Sequence, residues 1–552
     1  MDLETAKALL KLADPFTKEE VLRRFEDLSA RADMPTFAKL DAAKKVLLNH
    51  VSGSASLEPD SESISFAETE AVVEYLTNSK NNHIILGAGG TGKSVIIDRF
   101  VANLKEQGER VLVCAFTGLA AMNVHGETIH SFFGFPAHSG LSLKTWTHLS
   151  PIARQKFQLI DLLIVDEISM VSADCLDAMD KKLRAARNNT GEPFGGVRVL
   201  LLGDPYQLPP VPDKKDSLAY AQMTEKYPMG NWFFEANAYE DGDFEEIEIV
   251  VNKRVTPKDA AAMEYKAALD EIRVGVCSLN TLQTINNRVG VDCSEWELEM
   301  TTIFPKKEQV RDFNREKLDS IKGENFILAG MVGYPDPRRK QEPEETWPDD
   351  VTPDKFLELK IGAEVMFIKN DDQGGEVTAK GKKRRWSNGD RGIIRGIKNE
   401  DTLLVSKQMK NEEKSKQAGK DVFYYSEPFE VRRSTWEEVA HFASHRVLSG
   451  GGLKPGLDPH VVKTYTQFPI RLAWAITIHK SQGQTYNAVQ FTPQGVFTHG
   501  QTYVALSRCR RLSRVKLLAP ITQEDLKIDP AVTYFMDNFH PRLFADRENR
   551  TG

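Results

Sequence analysis

Between about residues 66 and 215, short apolar runs (HIILG, RVLVCAF, LLIVDE and VRVLLLGD) alternate with stretches of helical character. Strands separated by helices mark a parallel sheet in an α/β domain. Residues 240 to 345 are mixed, with a helical PKDAAAMEYKAALDEIR and a strand at TTIFP. From about 360 to 455 the pattern shifts to strands at AEVMFI, RGIIRGI, TLLVSK and DVFYYS, divided by glycine-rich or charged turns. The α/β character returns from RLAWAITIHKSQGQT to the end, and no internal repeat is visible.

The first 50 or so residues read as a small helical unit. Thr17 and Glu20 have capping-box spacing, Phe16 and Val21 can form a hydrophobic staple, and Val21, Phe25 and Leu28 share a helical face. A second helix runs through FAKLDAAKKVLLNHV, and the small, polar, acidic SGSASLEPDSESIS after it reads as a linker. The expected organisation is a helical unit at 1–52, a linker at 53–65, an α/β lobe at 66–235, a second lobe at 236–355 and 456–552, and a β-rich insert at 356–455.

Composition changes this picture little. A chain of 552 residues suggests three or four packed units at roughly 150 residues each. No apolar run approaches the roughly 20 residues that span a bilayer, and the N-terminus lacks a basic start followed by an apolar run, so a cytoplasmic location without membrane contact is expected. The five cysteines are scattered, with no C-x-x-C pair, which fits a reducing compartment and no structural zinc. The net charge of −7 does not announce a nucleic-acid binder, so any such site must be a local basic or aromatic track.

The sharpest chemical signal is Gly87-Ala88-Gly89-Gly90-Thr91-Gly92-Lys93-Ser94, a P-loop pattern between the apolar HIIL and the helical VIIDRFVANLK. Its glycines let backbone N–H groups face phosphate oxygens, Lys93 reaches the outer phosphates, and the Ser94 hydroxyl ligates magnesium. LLIVDEIS supplies the partner strand, ending in Asp166 for the metal and Glu167 for the attacking water. Together these imply nucleotide hydrolysis, but kinases, GTPases and motors all share them.

The remaining strings resemble the superfamily 1 helicase set in its Pif/Dda/RecD form. CAFTGLAAMNVHGETIHSFFGF (114–135) resembles the family's DNA-touching segment, and DEISMV (166–171) its magnesium motif. LLGDPYQLPPV (201–211) resembles the motif whose glutamine, here Gln207, reads the γ-phosphate. LAWAITIHKSQGQT (472–485) and TYVALSRCR (502–510) resemble the last two motifs in full.

The resemblance implies two RecA-like lobes with ATP and Mg2+ between them, an SH3-like insert in the second lobe, and Arg508 as the arginine finger. Arg254 in VNKRVTP resembles a second γ-phosphate arginine, although Lys253 and Val255 stand where the family has an aromatic and a glutamine. Thr117, Thr128, Thr477 and Ser481, with His130 and His479, are the implied contacts to single-stranded DNA, and a pin that splits duplex falls within about 132–150. Phe132, Phe133, Phe135 and Trp146 are available for base stacking, although Phe132 and Phe133 read equally well as core. The run Lys380, Lys382, Lys383, Arg384, Arg385 with Trp386 combines phosphate-binding charge and a stacking ring.

The expected activity is ATP-dependent 5′-to-3′ unwinding of DNA by a monomer acting at duplex junctions; the alternatives are a translocase that does not separate strands, or a scaffold whose ATPase has decayed. Two features depart from the family. No glutamine lies between 51 and 86 to read adenine, where Glu68 or Glu70 stands nearby, so strict ATP preference is not implied. The N-terminal unit resembles a shortened J domain but carries Arg31-Ala32-Asp33 in place of His-Pro-Asp, which suggests a docking module for a replication or repair partner, or a simple structural cap, rather than chaperone stimulation.

Overall fold

The computed structural model describes Lys11, Arg24 and residues 66–541, except 118–119, 122–123, 136–140, 142–148, 212–216, 250–259, 295, 297–299, 336–346, 348–352, 372, 375–376, 379–380, 383–384, 412–413, 416–422 and 448–452. The N-terminal unit, most of the expected pin, Trp146 and Arg254 therefore lie outside the described residues. The chain divides into two compact units, and the larger, Phe66–Ile528 with Phe539–Phe544, carries both lobes. In the smaller, the helix Pro530–Asp537 starts with proline at its first turn and has Asp529 as its cap. No described helix is long and apolar enough to cross a membrane.

The first lobe is a six-stranded parallel sheet. Its strands are β1 (His83–Leu86), β2 (Val111–Ala115), β3 (Glu127–Thr128), β4 (Leu162–Asp166), β5 (Arg198–Gly203) and β6 (Glu245–Glu248), in the order β3-β2-β4-β5-β1-β6. β1 and β4 are buried at every position, because helices cover the sheet's faces. Helices α1 (Phe66–Asn78) and α2 (Lys93–Glu106) supply Val72, Val73, Leu76, Ile96, Ile97 and Phe100 to the core under β1 and β5. β6 belongs to this sheet, so the first lobe runs past the boundary expected at 235.

The second lobe has a four-stranded parallel sheet of β7 (Met300–Phe304), β8 (Ala475–Thr477), β9 (Ala488–Phe491) and β10 (Val515–Leu517), in the order β8-β7-β9-β10. Its core also takes Tyr265, Ala268 and Ile272 from helix α3 (Ala260–Arg273) and Tyr503 to Leu506 from helix α4 (Gln501–Leu506). The lobe's two parts are joined through an antiparallel, β-rich region, where Glu364–Phe367, Arg391–Asn399, Thr402–Lys410 and Phe423–Tyr425 match the four expected strands. A long hairpin, Ser434–Val447 with Leu453–Gln467, was not expected; its first strand lies beside Ile129–Phe133 and Pro151–Gln158 of the first lobe.

Trp386 is a core residue rather than a stacking platform. It is 1% exposed, its ring stacks on Phe367 and Phe429, and its indole N–H donates to Lys369 O at 3.1 Å. Arg385 lies over that ring and chelates Asp371 at 2.9 Å, so it too is committed within the fold. Lys380, Lys383 and Arg384 lie outside the described residues, and Lys382 ends the two-residue strand Gly381–Lys382.

Candidate active site and nucleic-acid track

The strand β1 ends at Leu86, and the next six residues turn the chain back into α2. Gly92 sits at φ 95°, in the left-handed region open to glycine, directly before Lys93 opens the helix. Lys93 folds onto its own loop and donates to Gly87 O at 2.6 Å and Ala88 O at 3.2 Å. Burial lowers its pKa against the opposing pull of Asp204, Glu167 and Asp166. Ser94, one residue on, is exposed on the cleft.

The acids come from the next strand but one. Asp166 is buried at the end of β4, and Glu167 turns to φ 52° and donates its N–H to Asp166 Oδ1 at 2.9 Å. Burial, then repulsion from Glu167, lifts the Asp166 carboxyl to about 7. A divalent cation relieves such a repulsion, and magnesium needs only one or two protein oxygens beside phosphate and water. The Ser94 hydroxyl and Asp166 carboxylate, both lining one cleft of about 680 Å3, fit that ion.

Gln207 lies on the turn after β5, its Nε2 on Asp204 Oδ2 at 3.2 Å and its Oε1 3.4 Å from Gln482 Nε2. Gln482 also donates to Glu167 Oε2 at 3.3 Å, so a second-lobe amide touches both first-lobe groups. Arg508 is buried, held by Val504 O at 2.8 Å and Ser507 Oγ at 2.8 Å, with Nη2 3.5 Å from where a side chain on Gly89 would begin. The P-loop thus faces a second-lobe cation, and Tyr503 OH accepts the Gly89 N–H at 3.2 Å. Asp204, Arg273, Gln482 and Tyr503 were not assigned roles from the sequence, although all but Arg273 lie inside the strings that carried the resemblance.

The DNA candidates divide into two groups. The hydroxyls of Thr117, Thr128 and Thr477 each accept a backbone N–H three residues ahead, from Ala120, Ser131 and Lys480 respectively, all at 3.2 Å. Each hydroxyl keeps its own proton to donate to a phosphate oxygen. Thr117, Thr477 and His479 line the same cleft as Asp166 and Glu167. His130 is half-buried, with its ring edge-on to Phe116 and Phe135.

Ser481 and Phe132 do not face the track. Ser481 is fully buried and donates its hydroxyl to Ile478 O at 2.7 Å, which leaves it no proton for DNA. Phe132 is 2% exposed, packed against Phe133 and Phe157 with the Lys156 ammonium over its ring, so no face is open to a base. Phe133 and Phe135 are buried beside it, which resolves the open alternative in favour of core.

A second cleft of about 630 Å3 continues from Thr477 and Lys480 across helix α5 (Lys307–Asp319). Lys307, Arg311 and Arg315 recur every four residues and therefore line one helix face, opposite Lys355 and the exposed Phe356. That spacing was legible in KKEQVRDFNREK and is the signal the sequence reading passed over.

The comparisons extend this geometry beyond the P-loop. Residues 63–227 match the family described as PIF1-like helicase. The chain is 28% identical over 482 residues to the ATP-dependent DNA helicase Pif1 of Bdellovibrio bacteriovorus, covering 86% of this chain and 92% of that protein. It is also 28% identical over 483 residues to the ATP-dependent DNA helicase PIF1 of Xenopus laevis, of which it spans 64%. The crystal structure of Bacteroides sp Pif1 in complex with ADP-AlF4 superposes with a TM-score of 0.65 at 27% identity, over 87% of this chain and all of that one. Bacteroides Pif1 bound to ssDNA gives 0.56 at 28% identity, over 86% and 97%. The likeness to PIF1-like helicases runs through both lobes and the region between them, and not only through a phosphate loop that many nucleotidases share.

Proposed function

We propose that this protein is an ATP-dependent DNA helicase that moves 5′ to 3′ along single strands. The observation that carries the reading is one continuous cleft in which Ser94, Asp166 and Glu167 share walls with Thr117, Thr477 and His479. Nucleotide chemistry and strand contact thus act on the same pair of lobes. Lys93 releases its loop carbonyls for the outer phosphates, Glu167 orients and deprotonates water, and Gln207 and Arg508 face the γ-phosphate from opposite lobes. Ser94 and Asp166 would hold Mg2+, which neutralises phosphate charge when bound. Loss of the γ-phosphate removes what the two lobes share and lets them part, while the hydroxyl contacts on phosphate carry no sequence code.

The test is strand separation on duplexes with a 5′ or a 3′ single-stranded tail, with Lys93→Ala as the control. Unwinding from the 5′ tail alone, lost in the control, is expected. Hydrolysis stimulated by DNA without separation would reassign the protein as a translocase.

A further inference from the structure

The turn Asp204–Leu208, which carries Gln207 on the first lobe, is gripped by the second lobe. Leu208 is fully buried within the second lobe's apolar cluster. A His499 ring nitrogen lies 2.8 Å from Pro205 O. Gly500, at φ 72°, comes so close that a Cβ there would sit 2.6 Å from the carbonyl oxygens of Tyr206 and Gln207. At the end of α3, Arg273 completes the grip. Its Nε and Nη2 both reach Asp204 Oδ1, at 3.1 and 2.8 Å, and its guanidinium lies over the Tyr206 ring at 4.6 Å.

We propose that Arg273 is a positioning residue for ATP hydrolysis: by holding one oxygen of Asp204 it fixes the other on the Gln207 amide, so that Gln207 is aimed only when the second lobe is seated. The proposal rests on the reading that Gln207 faces the γ-phosphate. The geometry supports it. The Asp204 carboxylate is shared, with Arg273 on Oδ1 and the Gln207 Nε2 on Oδ2 at 3.2 Å, so Gln207 Oε1 is turned outward toward Gln482.

A pair that only braced the lobes would change stability and leave chemistry per folded molecule alone. DNA-stimulated ATP hydrolysis and binding of fluorescent ADP are therefore measured on the full chain for Arg273→Ala, Arg273→Lys, Gln207→Ala and the double Ala variant. For Arg273→Ala we expect kcat to fall by about 10- to 100-fold, less than the roughly 10²- to 10³-fold that follows outright removal of a transition-state donor, because Gln207 is misplaced and not lost. ADP, which lacks the γ-phosphate, should bind within about threefold of wild type, and the double variant should be no slower than the worse single. Arg273→Lys keeps the charge but not the fork, and its kcat should fall between wild type and Ala.

Additive losses in the double variant, ADP affinity falling in step with kcat, or a wild-type kcat in Arg273→Lys would each overturn the proposal. If Arg273→Ala does not fold, the cycle is run with Arg273→Lys and the same criteria. A Gln207→Ala variant with undiminished kcat would instead overturn the reading of Gln207 itself.

Discussion

On the function proposed above, the molecule handles phosphate in two places, and it does so by different means. At the nucleotide site the groups are buried or half-buried and interlocked: Arg273, Asp204, Gln207, Gln482 and Glu167 form one set of contacts spanning two lobes. Along the proposed DNA track the groups stand apart. Thr117, Thr128 and Thr477 each cap their own turn, and Lys480 and Arg315 make single ion pairs, to Asp354 at 2.8 Å and Glu358 at 3.8 Å. A site that must sense one γ-phosphate needs coupled groups; a track that must let go of a polymer at each step needs independent ones. Losing one group should therefore be drastic at the first and gradual at the second.

The largest effect is expected from Arg508→Ala. Its guanidinium is buried and reaches the P-loop from the opposite lobe, as the proposed arginine finger requires. Removal should lower kcat for ATP by about 10³-fold or more, with DNA affinity in the absence of nucleotide little changed. Stopped-flow phosphate release beside DNA-binding titrations separates the two. A loss below about tenfold, the size expected of an independent contact, would break the contrast between the sites.

A smaller effect concerns the strand that supports the P-loop. His83 opens β1 with its side chain buried, and burial, then the nearby Arg198, lowers its pKa to about 4 despite Glu245 at 3.3 Å. The folded form thus favours neutral imidazole, while the unfolded chain takes up a proton near 6.5. This contribution to stability is present above about pH 6.5 and is lost as pH falls toward 4, up to about 3 kcal/mol. Thermal unfolding followed from pH 7 to 4 should show a steeper fall for wild type than for His83→Gln. Parallel curves would mean that His83 is not what ties the first lobe to neutral pH.

The same contrast governs what the sequence disclosed. The P-loop, Asp166-Glu167, Gln207 and Arg508 were legible because each sits in a short local string whose backbone turn the residues themselves dictate. The two parallel sheets followed from apolar runs, and the four short strands of the β-rich region from its turns. Phe132 stayed open between base stacking and core, and Trp386 was misread, because whether a ring faces a groove or a core is decided by distant chain: Phe157 in one case, Phe367 and Phe429 in the other. Arg273 was invisible for the same reason, since a lone arginine ending an amphipathic helix reads as surface charge until Asp204 is brought to it. The hairpin 434–467 carries two prolines, Pro455 and Pro459, which argue against a strand locally.

The smallest effects are expected on the track, and they distinguish its two kinds of group. Thr477→Val removes a neutral donor and also a helix cap; Thr477→Ser keeps both and serves as the control. Thr477→Val should weaken single-strand binding by roughly tenfold, about 1.5 kcal/mol for one hydrogen bond to a charged oxygen, and leave the salt dependence unchanged. Arg311→Gln, on the exposed face of α5, should weaken binding less at moderate salt but lower the slope of log affinity against log salt by about 0.7, because one fewer counterion is released. If Thr477→Val flattens the slope as well, the hydroxyl is acting through the charges around it, and the track is as coupled as the nucleotide site. Additivity in the Thr477→Val/Arg311→Gln double variant would show the opposite: phosphates held one at a time and released one at a time.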